Sequence, residues 1–226
     1  MKFLSQNVQF CFAYFAYSTS PEVPRLSGTM TRGTVTVGGL QRTYRTYVPR
    51  ELAKGAPLVV VMHGAGENGA RIRIETGYGF ERLADEHGFA VVYPNAYEGY
   101  WDVCNIVGDV SANGLTIDDV GFLTGMVDKL VGEIGVDPGR VFAAGSSRGG
   151  FMALRLALEV PSRFRAVAAV AANVHTPDNF KCRPAQNGTS SVMIMNGTED
   201  PRLLGPSPKE PNGPDVIWAF FERQRP

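Results

Sequence analysis

The chain has 226 residues, 44 % of them apolar, which suits one α/β unit with a single large core and leaves little room for a second. Its 22 basic and 22 acidic residues cancel and no basic block stands out, which excludes nucleic acid as a partner class. No apolar run reaches the length of a membrane span, and no Cys or His pair has metal-ligand spacing.

Residues 1–29 read as leader and linker, ahead of a folded unit over 30–226. An apolar stretch from Val8 to Tyr17 follows Lys2, and Ala16-Tyr17-Ser18 has the small-x-small form of a cleavage site. A signal peptide there would make the protein secreted or periplasmic; without one it is cytoplasmic. Polar residues from Ser5 to Asn7 and Gln9 break the apolar region, which also fits an unstructured leader or an extension upstream of a start at Met30. Alternating β-branched and aromatic residues around Gly38-Gly39 predict a β-hairpin. "PLVVVMHG" (57–64) and "FAVVYPN" (89–95) are continuous apolar runs, the pattern of strands buried on both faces, and "FERLADEHG" between them reads as a helix ended by Gly88.

A loop rich in Gly, Asn and Asp runs to Leu115. The next segment opens with Thr116 and Asp119 at capping-box spacing and carries a helical stripe of Val120, Leu123, Val127, Leu130, Val131 and Ile134. "RVFAAG" is a strand, 149–159 a helix, 164–173 and 191–200 two more strands, and 214–224 a closing helix. Strands alternating with helices imply a mostly parallel sheet covered on both faces. Cys104 and Cys182 both fall in loops and could pair in an exported protein.

Gly145-Ser146-Ser147-Arg148-Gly149 stands between a buried strand and a helix, the setting of a G-x-S-x-G nucleophile elbow. Ser147 is the candidate nucleophile, and the Arg148 N–H at the helix start can donate to an oxyanion. "MHGAGENG" follows a second buried strand, and the Ala65 N–H is the candidate second donor; His63 then braces the loop. Asp200, in "NGTEDP" after the last strand, is the candidate acid, with Glu199 as its rival. Asp118 and Asp119 are paired carboxylates better explained by helix capping, and "YEGYWDVC" (97–104) suits either aromatic substrate contacts or core packing.

On these motifs, together with "RTYRTYVP", "FAVVYPNA", "IDDVGFLTGMVDKL", the run from Val136 to Asn173 and the closing helix, the chain resembles the polyhydroxybutyrate depolymerase and feruloyl esterase-like group of α/β-hydrolases. The resemblance implies an α/β-hydrolase fold, Ser147 as nucleophile, Asp200 as acid, an ester or polyester substrate and no cofactor. It also implies a catalytic histidine after the acid. Here "PRLLGPSPKEPNG" separates Asp200 from "PDVIWAFF", and no histidine follows His175. The expectation is a chain truncated at a late strand, without the family's histidine loop.

Of the three histidines, His87 ends a helix and belongs at the amino end of the sheet, while His63 lies too close to the oxyanion loop. His175 follows a strand on the side of Ser147 and is the candidate stand-in base. Two functions remain: a serine carboxylic-ester hydrolase acting on short-acyl, hydroxycinnamoyl or hydroxyalkanoate esters, or a deletion variant that keeps the fold and turns over little. A lost late strand would also expose a sheet edge through which the chain could form a homo-oligomer.

Overall fold

Five-residue runs such as Leu-Val-Val-Val-Met and Ala-Val-Val-Tyr-Pro, without a charged residue, need cover on both faces. Two such strands, β3 (Leu58–Met62) and β4 (Ala90–Pro94), are buried along their whole length. They sit in the middle of a seven-stranded sheet in a computed structural model that describes residues 23–104, 117–174, 181–196 and 213–224. The predicted hairpin is β1 (Thr29–Val37) and β2 (Leu40–Val48), in register from Thr29↔Val48 to Val37↔Leu40 around Gly38-Gly39. β2 lies antiparallel on β4. From β4 onward the strands run parallel through β3, β5 (Val141–Ser146), β6 (Ala166–Val170) and β7 (Ser191–Met195), in the order β1-β2-β4-β3-β5-β6-β7.

Parallel neighbours need long crossovers. Helices α1 (Gly69–Glu75) and α2 (Gly79–His87) join β3 to β4, α3 (Asp119–Ile134) precedes β5, and α4 (Arg148–Glu159) joins β5 to β6. Side chains alternate across each strand, so Leu58, Val60 and Met62 pack with Phe122, Met126 and Met152 of α3 and α4. Val59 and Val61 face the other way, against Ile72, Phe80 and Leu83 and against the closing helix α5 (Gly213–Glu222). There Trp218 stacks on Phe89 with ring centroids 4.0 Å apart, and Phe221 on Phe142 at 4.8 Å. Ahead of β1, Leu26 packs on this second core. Ser27 N–H and Oγ donate to Asp85, at 2.7 and 2.9 Å, and Gly28 N–H to the Tyr47 hydroxyl.

Two local features differ from expectation. Helix α1 carries no long apolar stripe; it starts because the Asn68 side chain accepts from the N–H groups of Ala70 and Arg71, and Ile72 anchors it. Helix α3 is capped by Asp118, whose side chain accepts the Gly121 N–H at 2.7 Å; Thr116 of the expected capping box lies outside the described residues. Asp119 turns inward instead. It pairs with Arg42 of β2 at 2.6 Å and accepts the Asp102 N–H at 2.7 Å, with both charged side chains buried. Cys104 and Cys182 form a disulfide with Cα atoms 5.4 Å apart, tying the loop after β4 to the segment before β7. None of the described helices is long and apolar enough to cross a membrane.

Candidate active site

Ser147 stands between β5 and α4 with φ 50° and ψ −117°, a conformation that a residue bearing a Cβ rarely adopts. The turn survives because its surroundings leave the chain no other course. Ser147 N–H donates to the Val170 carbonyl at the end of β6 at 2.8 Å, and Ser147 O accepts the Phe151 N–H at 3.1 Å. A Cβ on Gly145 would overlap the Gly149 carbonyl. A Cβ on Gly149 would overlap the Met62 carbonyl oxygen and lie 2.6 Å from that of His63. Both glycines are therefore fixed by close approach of backbone. The serine side chain caps no helix N–H and the residue is exposed, so its hydroxyl is presented outward.

The same contacts bring the loop after β3 against the elbow. Met62 pairs with Gly145 across the sheet, so Ala65 and Ser147 leave the carboxyl ends of adjacent parallel strands. Within that loop Gly64 N–H donates to Glu67 Oε2 at 2.9 Å and Gly66 N–H to the Gly99 carbonyl at 2.9 Å. Among the described residues no acceptor meets the Ala65 N–H. Burial, and next the nearby Glu75 carboxylate, raise the Glu67 pKa above its usual value.

His63 braces this loop. Its Nε2 accepts the Ala96 N–H at 3.0 Å, which leaves the proton on Nδ1 to donate to the Gly64 carbonyl at 2.7 Å. Its own carbonyl accepts from Trp101 Nε1 at 2.9 Å. Burial pushes its pKa down to about 4, so the ring is neutral with both nitrogens engaged and cannot serve Ser147.

The 97–104 segment divides its aromatics. Trp101 is fully buried and structural, whereas Tyr100 keeps 38 % of its surface and lies under the Arg148 guanidinium, 5.9 Å from the ring centroid. Arg148 Nε donates to the Trp101 carbonyl at 2.6 Å, linking the elbow to this segment. Behind it, Arg155 donates to the Asp102 carbonyl at 2.7 Å and pairs with Glu159, and the Asp102 carboxylate accepts the Cys104 N–H. The bonds of Arg148 to the Trp101 carbonyl and of Arg155 to the Asp102 carbonyl were not legible in the sequence, because each joins residues dozens of positions apart.

His87 closes α2 beside Trp218, at the amino end of β4 and away from the elbow. Asp200, its rival Glu199, and His175 lie outside the described residues. The described chain reaches Val174, four residues past the Val170 carbonyl that accepts from Ser147, and Asn196, one residue past β7. Asn196 Nδ2 donates to Asn173 Oδ1 at 2.9 Å, so the strands that lead to both residues leave the sheet together, beside the elbow. Cys104, Glu159 and Cys182 converge, but the disulfide uses both sulfurs that a metal would need as thiolates.

The arrangement can be set beside known proteins. The family model described as Esterase PHB depolymerase matches residues 42–196, a span that contains the loop after β3, the elbow and β7. A putative esterase, NocK, of Nocardia uniformis subsp. tsuyamanensis is 35 % identical over 181 residues, which are 79 % of this chain and 51 % of that protein. Feruloyl esterase B of Neurospora crassa is 31 % identical over 132 residues, 58 % of this chain and 44 % of that one. The chain thus spans about half the length of these curated relatives or less. A mutant of the feruloyl esterase module from Clostridium thermocellum, solved with sinapinate, shares the fold with a TM-score of 0.55 at 12 % identity, over 67 % of this chain and 56 % of that one. The mixed, mostly parallel sheet with helices on both faces is an α/β-hydrolase fold, and with the family model matching more than half its length, the chain belongs to the Esterase PHB depolymerase family.

Proposed function

We propose that the protein is a serine carboxylic-ester hydrolase that works through an acyl-enzyme. Ser147 Oγ attacks the acyl carbon as a base takes its proton, and the N–H groups of Ala65 and Arg148 hold the oxyanion. Collapse breaks the acyl–oxygen bond, the leaving alcohol takes the proton back, and water then releases the acid by the same steps. Asp200 orients the base. Of this chain's histidines His175 is the one that suits the base: His63 has both nitrogens engaged, and His87 sits at the far end of the sheet. The substrates are short-acyl, hydroxycinnamoyl or hydroxyalkanoate esters, a range supported by the family's description and by the feruloyl esterase relative. The disulfide favours an oxidising compartment and hence a secreted or periplasmic protein.

The observation that carries this reading is the positive-φ Ser147, held over the end of β6, with Gly149 two residues on pressed against the carboxyl end of β3. Hydrolysis of p-nitrophenyl acetate, butyrate and ferulate by the purified chain tests it, with Ser147→Ala and His175→Ala beside it. The reading expects turnover that Ser147→Ala abolishes and that His175→Ala lowers by about 10³-fold or more. Unchanged kinetics in His175→Ala would remove that histidine as the base. An absence of serine-dependent turnover would leave a hydrolase scaffold without its proton shuttle.

A further inference from the structure

The loop that carries Ala65 is held in an unusual way. Four backbone polar groups around the Ala65 N–H have partners: the His63 carbonyl takes Trp101 Nε1, the Gly64 carbonyl takes His63 Nδ1, Gly64 N–H goes to Glu67, and Gly66 N–H to the Gly99 carbonyl. Two of these partners are rigid by burial, His63 and Trp101. The other two are surface features with special chemistry. Glu67 spends a carboxylate oxygen, half removed from water, on a neutral backbone N–H three residues back. Gly99 has φ +83°, and a Cβ there would lie 3.2 Å from the Glu67 carbonyl oxygen and from Gly66, so the two turns interlock with no space between them. Tyr97 N–C=O geometry supports this second turn: the Tyr97 carbonyl takes the Tyr100 N–H at 2.9 Å, and the Ala96 carbonyl takes the Gly99 N–H at 3.3 Å.

We propose that Glu67 and Gly99 are positioning residues that clamp the loop from both sides and aim the Ala65 N–H at the oxyanion. This deepens the hydrolase reading and rests on it. An oxyanion-hole donor is effective only when it is already aimed where charge develops, because the transition state cannot wait for a loop to reorganise. Losing the Glu67 acceptor leaves the His63–Gly64 peptide held at its carbonyl end alone, by Trp101 Nε1, and the next peptide along is the one that carries the donor. The clamp acts on a group that bonds strongly in the transition state and weakly in the ground state, so its loss falls on kcat rather than KM.

The test compares Glu67→Leu, Glu67→Gln and Gly99→Ala with the parent chain in two measurements. The first is steady-state hydrolysis of p-nitrophenyl butyrate. Removing one oxyanion donor costs about 10²–10³ in kcat, and a misaimed donor is expected to cost about ten- to a hundredfold with KM within about twofold. Glu67→Gln keeps an acceptor oxygen and restores most of the loss, which a merely structural role for the charge would not do. The second is the backbone amide resonance of Ala65 in a 15N-labelled chain, which needs no turnover. It shifts in Glu67→Leu and Gly99→Ala and stays in place in Glu67→Gln. An Ala65 resonance unmoved by Glu67→Leu overturns the clamp even if the chain hydrolyses nothing. A moved resonance without serine-dependent turnover keeps the clamp as a feature of the loop and overturns the hydrolase reading and, with it, the aim at an oxyanion. A parent-like kcat in Glu67→Leu overturns the catalytic consequence.

Discussion

Ser147 holds a φ of 50° that costs a residue with a Cβ about 1–3 kcal/mol, and the cost is met by the Val170 carbonyl and by backbone pressed against Gly145 and Gly149. A glycine at 147 would adopt that conformation freely. We expect Ser147→Gly to be more stable than Ser147→Ala by about 1 kcal/mol after glycine's extra unfolded-state freedom is counted, while both lack activity. Urea denaturation of the two variants measures the difference, and equal midpoints would contradict the strain. His63 makes the opposite kind of statement. Its native pKa of about 4 lies below the roughly 6.5 of an unfolded chain, so the unfolded state binds the extra proton between those values. The full stability from the neutral ring is present above about pH 6.5 and is lost as pH falls toward 4, by roughly 3 kcal/mol in all. The stability difference between the parent and His63→Gln should therefore shrink as pH drops through that window. Parallel pH profiles for the two proteins would show that the buried ring is not the group responsible.

At the scale of elements, each strand that supplies the site is parallel and central, and each ends at the same side, where α4 begins. β7 runs parallel to them but stands last in the sheet order. Its outer edge is unpaired among the described residues, and Val192 and Ile194 are 45 % and 44 % exposed on one of its faces. A strand edge with apolar flanks is a template for another strand. The chain of 226 residues is expected to self-associate through β7, and Ile194→Lys to suppress it by placing a charge on that strand. Light scattering over a broad concentration range reads this directly; a parent chain that stays monomeric throughout would contradict it. Helices reveal what sequence patterning can carry. α3 and α4 announce themselves by apolar stripes that repeat with the helical period. α1 is seven residues long and begins with a side-chain cap at Asn68, too short for a periodic signal.

For the molecule as a whole, the sheet and the elbow were legible because both are local: an apolar run makes a buried strand wherever it stands, and Gly145-x-Ser147-x-Gly149 means little except between a strand and a helix. What the sequence hid is long-range. Asp119 looks like half of a helix cap, yet it is the buried partner of Arg42, 77 positions away, and holds the Asp102 N–H that anchors the Trp101 segment. The role of Glu67 likewise depends on Gly99 arriving from the other side of β4. The Cys104–Cys182 pairing was open from loop positions and is present in the structure, where it fixes the far end of that same segment. All these ties converge behind one exposed hydroxyl. The measurement that tests their purpose most directly is the initial rate of p-nitrophenyl butyrate hydrolysis by the parent chain against Ser147→Ala at equal concentration and pH 7.5. The account predicts a saturable rate in the parent and only the uncatalysed background in the variant. Equal rates in the two proteins would contradict Ser147 as the nucleophile and remove the esterase reading with it.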